Sequence, residues 1–232
     1  MRRLVPDASE VVDLRAAYAV PDSRHVRVNF AASVDGAVTV DGRSRGLSSD
    51  ADRELFHVLR AMSDVVLVGA GTARAENYGG ARQGDHTTPP VAVVSRSLDL
   101  DPASRLFTDT RVPPIVLTCA AAPVDRRTVL RDIADVIDVG DDVVDVTRAL
   151  DALADRGLRR VICEGGPHLF GWLAAAAVVD ELCLTVAPLI AGGAAGRIVA
   201  GLATQVTDPL RLVHVLEEDG HLFLRYAAHA AH

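Results

Sequence analysis

The chain has 232 residues, and its 24 basic and 31 acidic side chains give a formal net charge of −7. This acidic balance argues against a nucleic-acid-binding protein, since no basic block is present to neutralise phosphates. Every basic residue is an arginine. The absence of lysine excludes functions that need its ε-amine, such as Schiff-base catalysis and phosphate binding by a P-loop lysine. The length accommodates one large domain or two small ones.

The three cysteines, Cys119, Cys163 and Cys183, each lie in an apolar run, and no C-x-x-C pair occurs. This pattern predicts reduced, buried thiols in a cytoplasmic protein, and no Cys or His pair has the spacing of a zinc site. Acidic residues interrupt segment 1–14, where a signal peptide would be apolar. The longest apolar run, 172–179, is too short to span a membrane. We therefore expect a soluble, cytoplasmic protein with no metal ion and no membrane or nucleic-acid partner.

Strand and helix patterns alternate along the chain. Continuous apolar runs are typical of strands buried on both faces of a parallel sheet, whereas apolar residues at helical spacing predict helices. Ser48 or Ser49 would cap one such helix. In chain order, the predicted elements are a helix over 8–18, a strand over 26–32, a helix over 49–62, strands over 64–69, 91–94 and 115–118, a helix over 143–156, a strand over 160–164, a helix over 168–177 and strands over 182–187, 211–217 and 221–227.

The last two strands flank Glu218-Asp219-Gly220, a turn sequence that predicts a β-hairpin. Strands that alternate with helices predict an α/β fold with a mostly parallel central sheet flanked by helices, and the hairpin adds antiparallel strands at one end. The polar stretch 79–90 is predicted to be a loop rather than a domain linker. We therefore expect a single domain over 25–232, preceded by an extension over 1–24.

Three glycine-containing turns follow predicted strands, and ligands of an open α/β sheet bind at the carboxyl ends of its strands. Gly69-Ala70-Gly71-Thr72 lacks the third glycine of the dinucleotide fingerprint, so on its own it indicates an ordinary tight turn. Glu164-Gly165-Gly166-Pro167-His168 places a glycine pair before a helix start, where exposed N–H groups suit a pyrophosphate. Glu164 itself directly follows an apolar strand, so its carboxylate needs a hydrogen-bonding or charged partner. Ala32-Ser33-Val34-Asp35-Gly36 could be only a turn.

Taken together, the order and spacing of these turns and their flanking segments resemble one family, the pyrimidine reductases of riboflavin biosynthesis. These proteins form the reductase half of the bifunctional deaminase–reductase and share the dihydrofolate reductase-like fold. The resemblance covers 26–227, essentially the whole chain. The segments that carry it are 31–48, 59–80, 91–100 and 162–193, of which the last is the most specific because it combines E-G-G, an amphipathic helix, D-E-L and P-L-I-A-G-G in order.

The resemblance implies an NADPH-dependent oxidoreductase that reduces the ribosylamino group of 5-amino-6-(5-phosphoribosylamino)uracil to the ribityl form. The turn at 166–172 would hold the pyrophosphate, and the Gly165–Gly166 peptide is expected to be cis. Arg96 is a candidate for the 2′-phosphate, and a solvated surface arginine is the alternative. The cofactor-binding residues that the resemblance implies are Ala32, Gly46, Gly69, Thr72, Glu76, Ser95, Arg96, Gly165, Gly166, Pro167, His168, Leu169 and Phe170.

On the substrate side, the resemblance implies contacts from Asn29, Ser44, Arg60, Arg82 and Glu164. Hydride transfer requires that donor and acceptor be held close together, and a proton must then reach nitrogen. Glu164 or Asp35 could relay that proton, as could water. Both carboxylates are therefore candidate catalytic residues, and the proton donor stays open.

The chain departs from the family pattern on the substrate side. Asn29 stands where the family usually has a lysine for the phosphoribosyl end, and Glu76-Asn77-Tyr78-Gly79 replaces a stretch with two acidic residues and a proline. The deaminase motifs H-x-E and P-C-x-x-C do not occur in the sequence, so deamination is expected from another chain. Two alternatives stay open: dihydrofolate or another pterin- or pyrimidine-like substrate, and a non-catalytic NADPH-binding protein. The resemblance also implies a homodimer.

Overall fold

A computed structural model describes residues 1–80, 89–203 and 209–228. The strands are β1 Arg2–Val5, β2 His25–Ser33, β3 Val65–Gly69, β4 Val91–Val94, β5 Ile115–Thr118, β6 Asp135–Asp138, β7 Arg160–Cys163, β8 Glu181–Ala187, β9 Leu210–Glu218 and β10 His221–Ala228. The α-helices are α1 Leu14–Ala17, α2 Asp50–Ala61, α3 Ala70–Ala75, α4 Arg105–Thr108, α5 Val124–Arg131, α6 Val146–Ala154 and α7 Pro167–Ala175, and Ser44–Leu47 forms a 3-10 helix. Most of the loop predicted over 79–90 lies outside the described residues.

The described strands form one sheet in the order β1-β9-β10-β8-β2-β7-β3-β4-β5-β6. The run from β8 to β6 is parallel throughout. Strands β10, β9 and β1 add to β8 in antiparallel pairs. The predicted α/β fold, with a mostly parallel sheet and an antiparallel C-terminal hairpin, is therefore confirmed.

Both faces of the central strands are buried, which explains their continuous apolar sequences. On β3, Val65 and Leu67 belong to a core cluster that includes side chains of α6 and α7. Val66 and Val68 point to the opposite face and belong to a cluster with α2. Because successive side chains of a strand alternate between faces, only a strand covered by helices on both sides can carry such a run.

Side-chain caps mark the first residues of α1, α2 and α6. The helix predicted over 49–62 is confirmed as α2, and Ser49 Oγ accepts a hydrogen bond from the amide of Asp52 at 3.1 Å. The helix predicted from residue 143 begins only at Val146, because the carboxylate of Asp145 accepts hydrogen bonds from the amides of Thr147 and Arg148. The predicted strands agree with the observed ones to within one residue at each end.

The predicted helix over 8–18 is wrong for most of its length. Only Leu14–Ala17 is helical, capped by Asp13, and Arg2–Val5 instead forms an edge strand paired with β9. Tyr18 is fully buried and packs in the core cluster that contains α2. Segment 1–24, which we expected to be an extension, thus contributes a strand to the sheet and a side chain to the core.

His214 on β9 belongs to this part of the interior. It is 4% exposed, and its ring lies edge-on to the ring of Tyr18, with 4.8 Å between centroids. Burial, followed by the cations of Arg225 and Arg3, lowers the pKa of His214 from 6.5 to about 4. The folded protein therefore keeps this imidazole neutral at pH values where the unfolded chain would bind a proton.

We expect acidification from pH 7 to pH 5 to remove about 1–2 kcal/mol of stability through His214, since its proton affinity is lower in the folded state. Urea denaturation at both pH values tests this expectation. The variant His214→Phe keeps a ring beside Tyr18 but cannot titrate, so its free energy of unfolding should fall less than that of the wild type. An equal fall in both proteins would contradict the assignment.

Candidate active site

Two adjoining cavities open at the carboxyl ends of β2, β7, β3 and β4. The first has a volume of about 610 Å³ and lies between the turns after β3 and β4 and the start of α7. The second has a volume of about 860 Å³ and extends over β2, the 3-10 helix, α2 and α3. Gly71, Thr72, Gly166 and Pro167 line both cavities. The two cavities therefore form one continuous cleft, at the position that open α/β sheets use for ligands.

The glycine pair before α7 forms the junction of this cleft. The Gly165–Gly166 peptide is cis, as expected, and the carbonyl of Gly165 accepts a hydrogen bond from the amide of Gly69 at 2.8 Å. A Cβ on Gly166 would lie 2.5 Å from Thr72 Oγ1, so any larger residue there would displace the Thr72 hydroxyl. No side chain caps the start of α7 at Gly166. The N–H groups at the N-terminus of this helix are therefore available to an anion.

The first cavity carries further groups that suit an anionic ligand. Ser95 is 4% exposed, and its Oγ has no hydrogen-bond partner among the described residues. Arg74 and Arg96 also line the cavity, and Arg96 Nε donates to the carbonyl of Asp142 at 2.8 Å, which holds that guanidinium near the end of β4. A buried hydroxyl without a partner is costly. This orphan hydroxyl, the two cations and the uncapped helix together fit a phosphate-bearing nucleotide.

A hydrogen-bonded cluster around Glu164 forms the inner wall of the second cavity. Arg60 donates from Nε to Glu164 Oε1 and from Nη2 to Oε2, both at 2.6 Å. The hydroxyl of Tyr78 donates to Oε2 at 2.7 Å. The guanidinium of Arg60 also lies over the ring of Phe56, 4.3 Å from its centroid. The buried carboxylate, expected to need a partner, thus has two.

Both donors of this cluster have a raised pKa. Burial alone would lower the pKa of Arg60, but the carboxylate of Glu164 and the hydroxyl of Tyr78 raise it above its ordinary value. Burial and then the charge of Glu164 raise the pKa of Tyr78 well above 10. Both side chains therefore remain donors at neutral pH, and Glu164 accepts from both.

Most of the predicted site residues lie on this cleft. The first cavity is lined by Gly69, Thr72, Ser95, Arg96, Gly166, Pro167, His168 and Leu169. The second is lined by Asn29, Ser44, Arg60, Thr72, Glu76, Gly166, Pro167 and Glu164. Arg82 lies outside the described residues.

Four residues predicted to bind cofactor do not line either cavity. Ala32 is buried, and Phe170 is also buried, with its ring stacked on Phe30 at 5.6 Å. Gly46 packs on Val40, where a Cβ would lie 2.7 Å from the valine Cβ. A Cβ on Gly165 would meet the ring of Phe30 at 3.0 Å. The contact of these four residues with a cofactor stays a prediction.

Asp35 does not line either cavity, and its role as a catalytic residue stays a prediction. Its carboxylate accepts hydrogen bonds from Ser33 Oγ at 2.5 Å and from the amides of Ala191 and Gly192 at 3.0 and 2.8 Å. The Ser33 hydroxyl, followed by the two amides, lowers the pKa of Asp35 to about 2. Asp35 is therefore an ionised side chain that ties the turn after β2 to the loop after β8.

Several cleft residues were not predicted from the sequence. Tyr78 and Phe56 complete the cluster around Glu164, and Arg45 and Arg53 line the same cavity. Phe56 lies four residues before Arg60 on α2, so helical spacing could have placed the two side chains on one face. The contact of Tyr78 with Glu164 joins positions 86 residues apart, and no local pattern indicates it.

Within the described residues, no helix has the length and apolar composition needed to cross a membrane. The same residues contain no group of three or more His, Cys, Asp or Glu side chains placed to hold a metal ion.

The structure is similar to solved structures of reductases. A pyrimidine reductase-like protein from Corynebacterium diphtheriae matches with a TM-score of 0.83 and 27% identity, over 94% of this chain and 99% of that one. A Thermotoga maritima protein, described as a diaminohydroxyphosphoribosylaminopyrimidine deaminase and 5-amino-6-(5-phosphoribosylamino)uracil reductase, matches with a TM-score of 0.70 and 20% identity. That match covers 93% of this chain and 60% of the Thermotoga chain, and it shows the fold.

Sequence comparison leads to the same group. A 2,5-diamino-6-ribosylamino-4(3H)-pyrimidinone 5′-phosphate reductase from Aquifex aeolicus is 32% identical over 168 residues, which is 69% of this chain and 75% of the relative. The reductase of the same name from Methanothermobacter thermautotrophicus is 30% identical over 179 residues, 75% of this chain and 82% of the relative. Residues 24–222 match the model of the RibD C-terminal domain, and the chain therefore belongs to the RibD C-terminal domain family, as the sequence resemblance predicted.

Proposed function

We propose that this protein is an NADPH-dependent reductase of riboflavin biosynthesis that converts the ribosylamino group of a phosphoribosylaminopyrimidine into a ribityl group. The observation that carries the proposal is the continuous cleft, in which a cavity suited to phosphate joins a cavity that ends at Glu164. Membership of the RibD C-terminal domain family and relatives named as reductases of this pathway support the same reaction.

NADPH would supply a hydride when bound in the first cavity. The N–H groups at the start of α7 would hold its pyrophosphate, with Ser95 and Arg96 at the end of β4 binding the adenosine phosphate. Thr72 and Gly166 line both cavities, so they would separate and orient the two ligands. These residues fit the cofactor because each supplies a donor or a close backbone approach.

In the second cavity, Glu164 would bind the pyrimidine ring, since its oxygens are fixed by Arg60 and Tyr78. The ring-opened form of the ribosylamino group is an imine, and its reduction adds a hydride to carbon and a proton to nitrogen. Asp35 lies outside the cleft, and Glu164 already accepts three hydrogen bonds. We therefore propose that water entering the open cleft supplies this proton. The protein contributes by holding the hydride donor and the acceptor close together.

The decisive experiment follows NADPH absorbance with purified protein and the phosphoribosylaminopyrimidine. Turnover is expected with this substrate, and a faster reaction with dihydrofolate would favour the pterin-type alternative. If NADPH raises the melting temperature but no substrate is reduced, the protein binds the cofactor without catalysis and the proposal is wrong.

Arg96→Gln is expected to weaken NADPH binding by about 10–100-fold and to leave NADH binding nearly unchanged, because the guanidinium would pair with the 2′-phosphate that only NADPH carries. Titration calorimetry with both cofactors measures this difference. Arg131→Gln, at an exposed position on α5, is the matched control and should bind both cofactors like the wild type. Equal losses of NADPH and NADH affinity in Arg96→Gln would contradict the assignment.

We further propose that the protein is a cytoplasmic homodimer, in line with the family resemblance. Light scattering at micromolar concentration would give the mass of two chains. A mass equal to one chain would refute the dimer.

A further inference from the structure

The only tryptophan of the chain, Trp172, lies on the wall of the first cavity. It belongs to α7, whose other large apolar side chains, Leu169, Phe170 and Leu173, are buried. Trp172, by contrast, is 42% exposed, and within the described residues its ring stacks on no other aromatic ring. An aromatic side chain that is open to water inside a concave surface is typical of a ligand-binding site. The indole is therefore available to whatever occupies this cavity.

Trp172 lies away from the junction of the two cavities. Gly166 and Pro167 line both cavities, whereas Trp172 lines only the first. Because a helix rises about 1.5 Å per residue, Trp172 stands roughly 8 Å beyond Pro167 along α7, on the same face as His168 one turn earlier. A dinucleotide whose pyrophosphate meets the start of α7 and whose nicotinamide reaches the junction must place its adenosine half along this part of the helix.

The loop after β5 supplies a second apolar wall. Ala121 and Pro123 line the same cavity, and their side chains carry no charge or hydrogen-bonding group. The loop is fixed, because the amides of Ala120 and Ala121 donate to the carbonyls of Gly140 and Asp141, each at 2.9 Å. Strands β3 and β4 lie between β7 and β5 in the sheet, so α7 and this loop approach the cavity from its two sides. A flat ring with apolar faces therefore suits the space between the indole and the loop.

The charge of the cavity indicates the class of ligand that carries this ring. Arg74 and Arg96 line the cavity, and among the described residues no aspartate or glutamate does. The ring is therefore expected to belong to an anionic molecule. An aromatic side chain beside phosphate-binding groups suits a nucleotide base, because every base has a π-face that can stack on it.

We infer that Trp172 is a further cofactor-binding residue, whose indole stacks on the adenine ring of NADPH. The inference rests on the proposed function, since it requires NADPH in the first cavity. NADPH and NADH share the adenine ring, so Trp172 raises the affinity for both cofactors equally, whereas Arg96 would distinguish them. Because the adenine is remote from the carbon that gives up the hydride, this contact lowers the KM for NADPH and leaves kcat unchanged.

Fluorescence measures this contact directly, because all tryptophan emission of the protein comes from Trp172. Adenosine 2′,5′-bisphosphate carries the adenine half of the cofactor and no nicotinamide. It should quench the emission of the wild type in a saturable manner, with the same dissociation constant that calorimetry gives. Nicotinamide mononucleotide, the other half of the cofactor, should leave the emission unchanged.

Substitution of Trp172 tests how much affinity the stacking contributes. Trp172→Ala should weaken the binding of NADPH and of NADH by the same factor of about 10–100, while the affinity for reduced nicotinamide mononucleotide and the kcat at saturating NADPH stay at their wild-type values. Trp172→Phe retains a ring and should recover most of the lost affinity. The matched control is Val129→Ala, which removes another exposed apolar side chain, on α5 and outside both cavities, and it should bind like the wild type.

The possible outcomes separate this inference from the proposed function. Wild-type NADPH affinity in Trp172→Ala, or emission that does not respond to bound adenosine 2′,5′-bisphosphate, would overturn the inference and leave the reductase assignment intact. An equal loss of affinity for NADPH and for reduced nicotinamide mononucleotide would do the same, because it would indicate damage to the whole cavity. A wild type that binds neither NADPH nor adenosine 2′,5′-bisphosphate would overturn both the inference and the proposed function.

Discussion

Replacing Glu164 by glutamine is expected to lower kcat/KM for the pyrimidine substrate by about 100-fold, mainly through a higher KM. The amide removes the charge that Arg60 binds at 2.6 Å on both oxygens, and it presents an NH₂ group where either Arg60 or Tyr78 must donate. A hydrogen bond to a charged group contributes about 1.5–3 kcal/mol, which corresponds to this loss. Since Glu164 is assigned to ring binding rather than to the reacting carbon, kcat should change less than KM.

The matched control for this variant is Glu54→Gln. Glu54 lies on the exposed face of α2 and does not line either cavity, so its loss should leave both kinetic constants unchanged. The dissociation constant of NADPH should also be preserved in Glu164→Gln, because the first cavity does not include this residue. A variant with wild-type KM, or one that loses NADPH and substrate affinity equally, would show that Glu164 does not hold the ring.

The sequence could predict those parts of the fold that local patterns encode. The run Val65–Gly69 is apolar on both faces, and only a strand covered by helices on both sides accommodates that. Ser49 marks the start of α2 because its hydroxyl caps the helix. The edges of the sheet carry weaker signals: β6 consists of Asp-Val-Ile-Asp and pairs with β5 alone. Such a short, charged strand has no pattern of its own, and β1 was missed for the same reason.

The sequence could predict those site residues that directly follow a strand. Glu164 stood out because a carboxylate after an apolar strand needs a partner, yet the identity of those partners depends on contacts across 104 and 86 residues. Asp35 met the same local criterion, since it also follows a buried strand. Its carboxylate is instead satisfied by the amides of a loop more than 150 residues away. Position after a strand identifies candidate site residues. Only the tertiary contacts show whether such a carboxylate faces a ligand or holds two loops together.

The largest effect on stability is expected for Glu181→Gln, far from the cleft. Glu181 is 2% exposed and accepts hydrogen bonds from Arg27 Nε at 2.5 Å and from Arg225 Nε and Nη2 at 2.9 and 2.6 Å. Burial would raise the pKa of this carboxyl, but His25, Arg27 and Arg225 outweigh it and lower the pKa below its ordinary range. The residue is therefore an ionised acceptor in the interior.

Its two arginines also bind the N-terminal segment to the sheet. Arg27 donates to the carbonyl of Tyr18 at 2.7 Å, and Arg225 donates to the carbonyls of Ala17 and Ala19 at 2.5 and 3.1 Å. Loss of the carboxylate charge would leave both guanidinium groups buried without a counter-ion and would loosen the segment that carries Tyr18 into the core. Breaking a buried pair in this way costs about 3–5 kcal/mol, so Glu181→Gln should lose that much free energy of unfolding.

Urea denaturation at pH 7 measures the loss, and Asp151→Asn provides the comparison. Asp151 pairs with Arg24 at 2.7 Å, but both side chains are about half exposed, and such surface pairs contribute at most about 1 kcal/mol. Each variant removes one carboxylate charge, which Arg27 and Arg225 bind in the interior for Glu181 and Arg24 binds at the surface for Asp151. The difference between the two losses therefore measures the contribution of the buried pairs. Equal losses would mean that the interior arginines reach water when Glu181 is neutralised. A loss several-fold larger in Glu181→Gln would show that this buried charge contributes far more to the free energy of unfolding than a surface pair does.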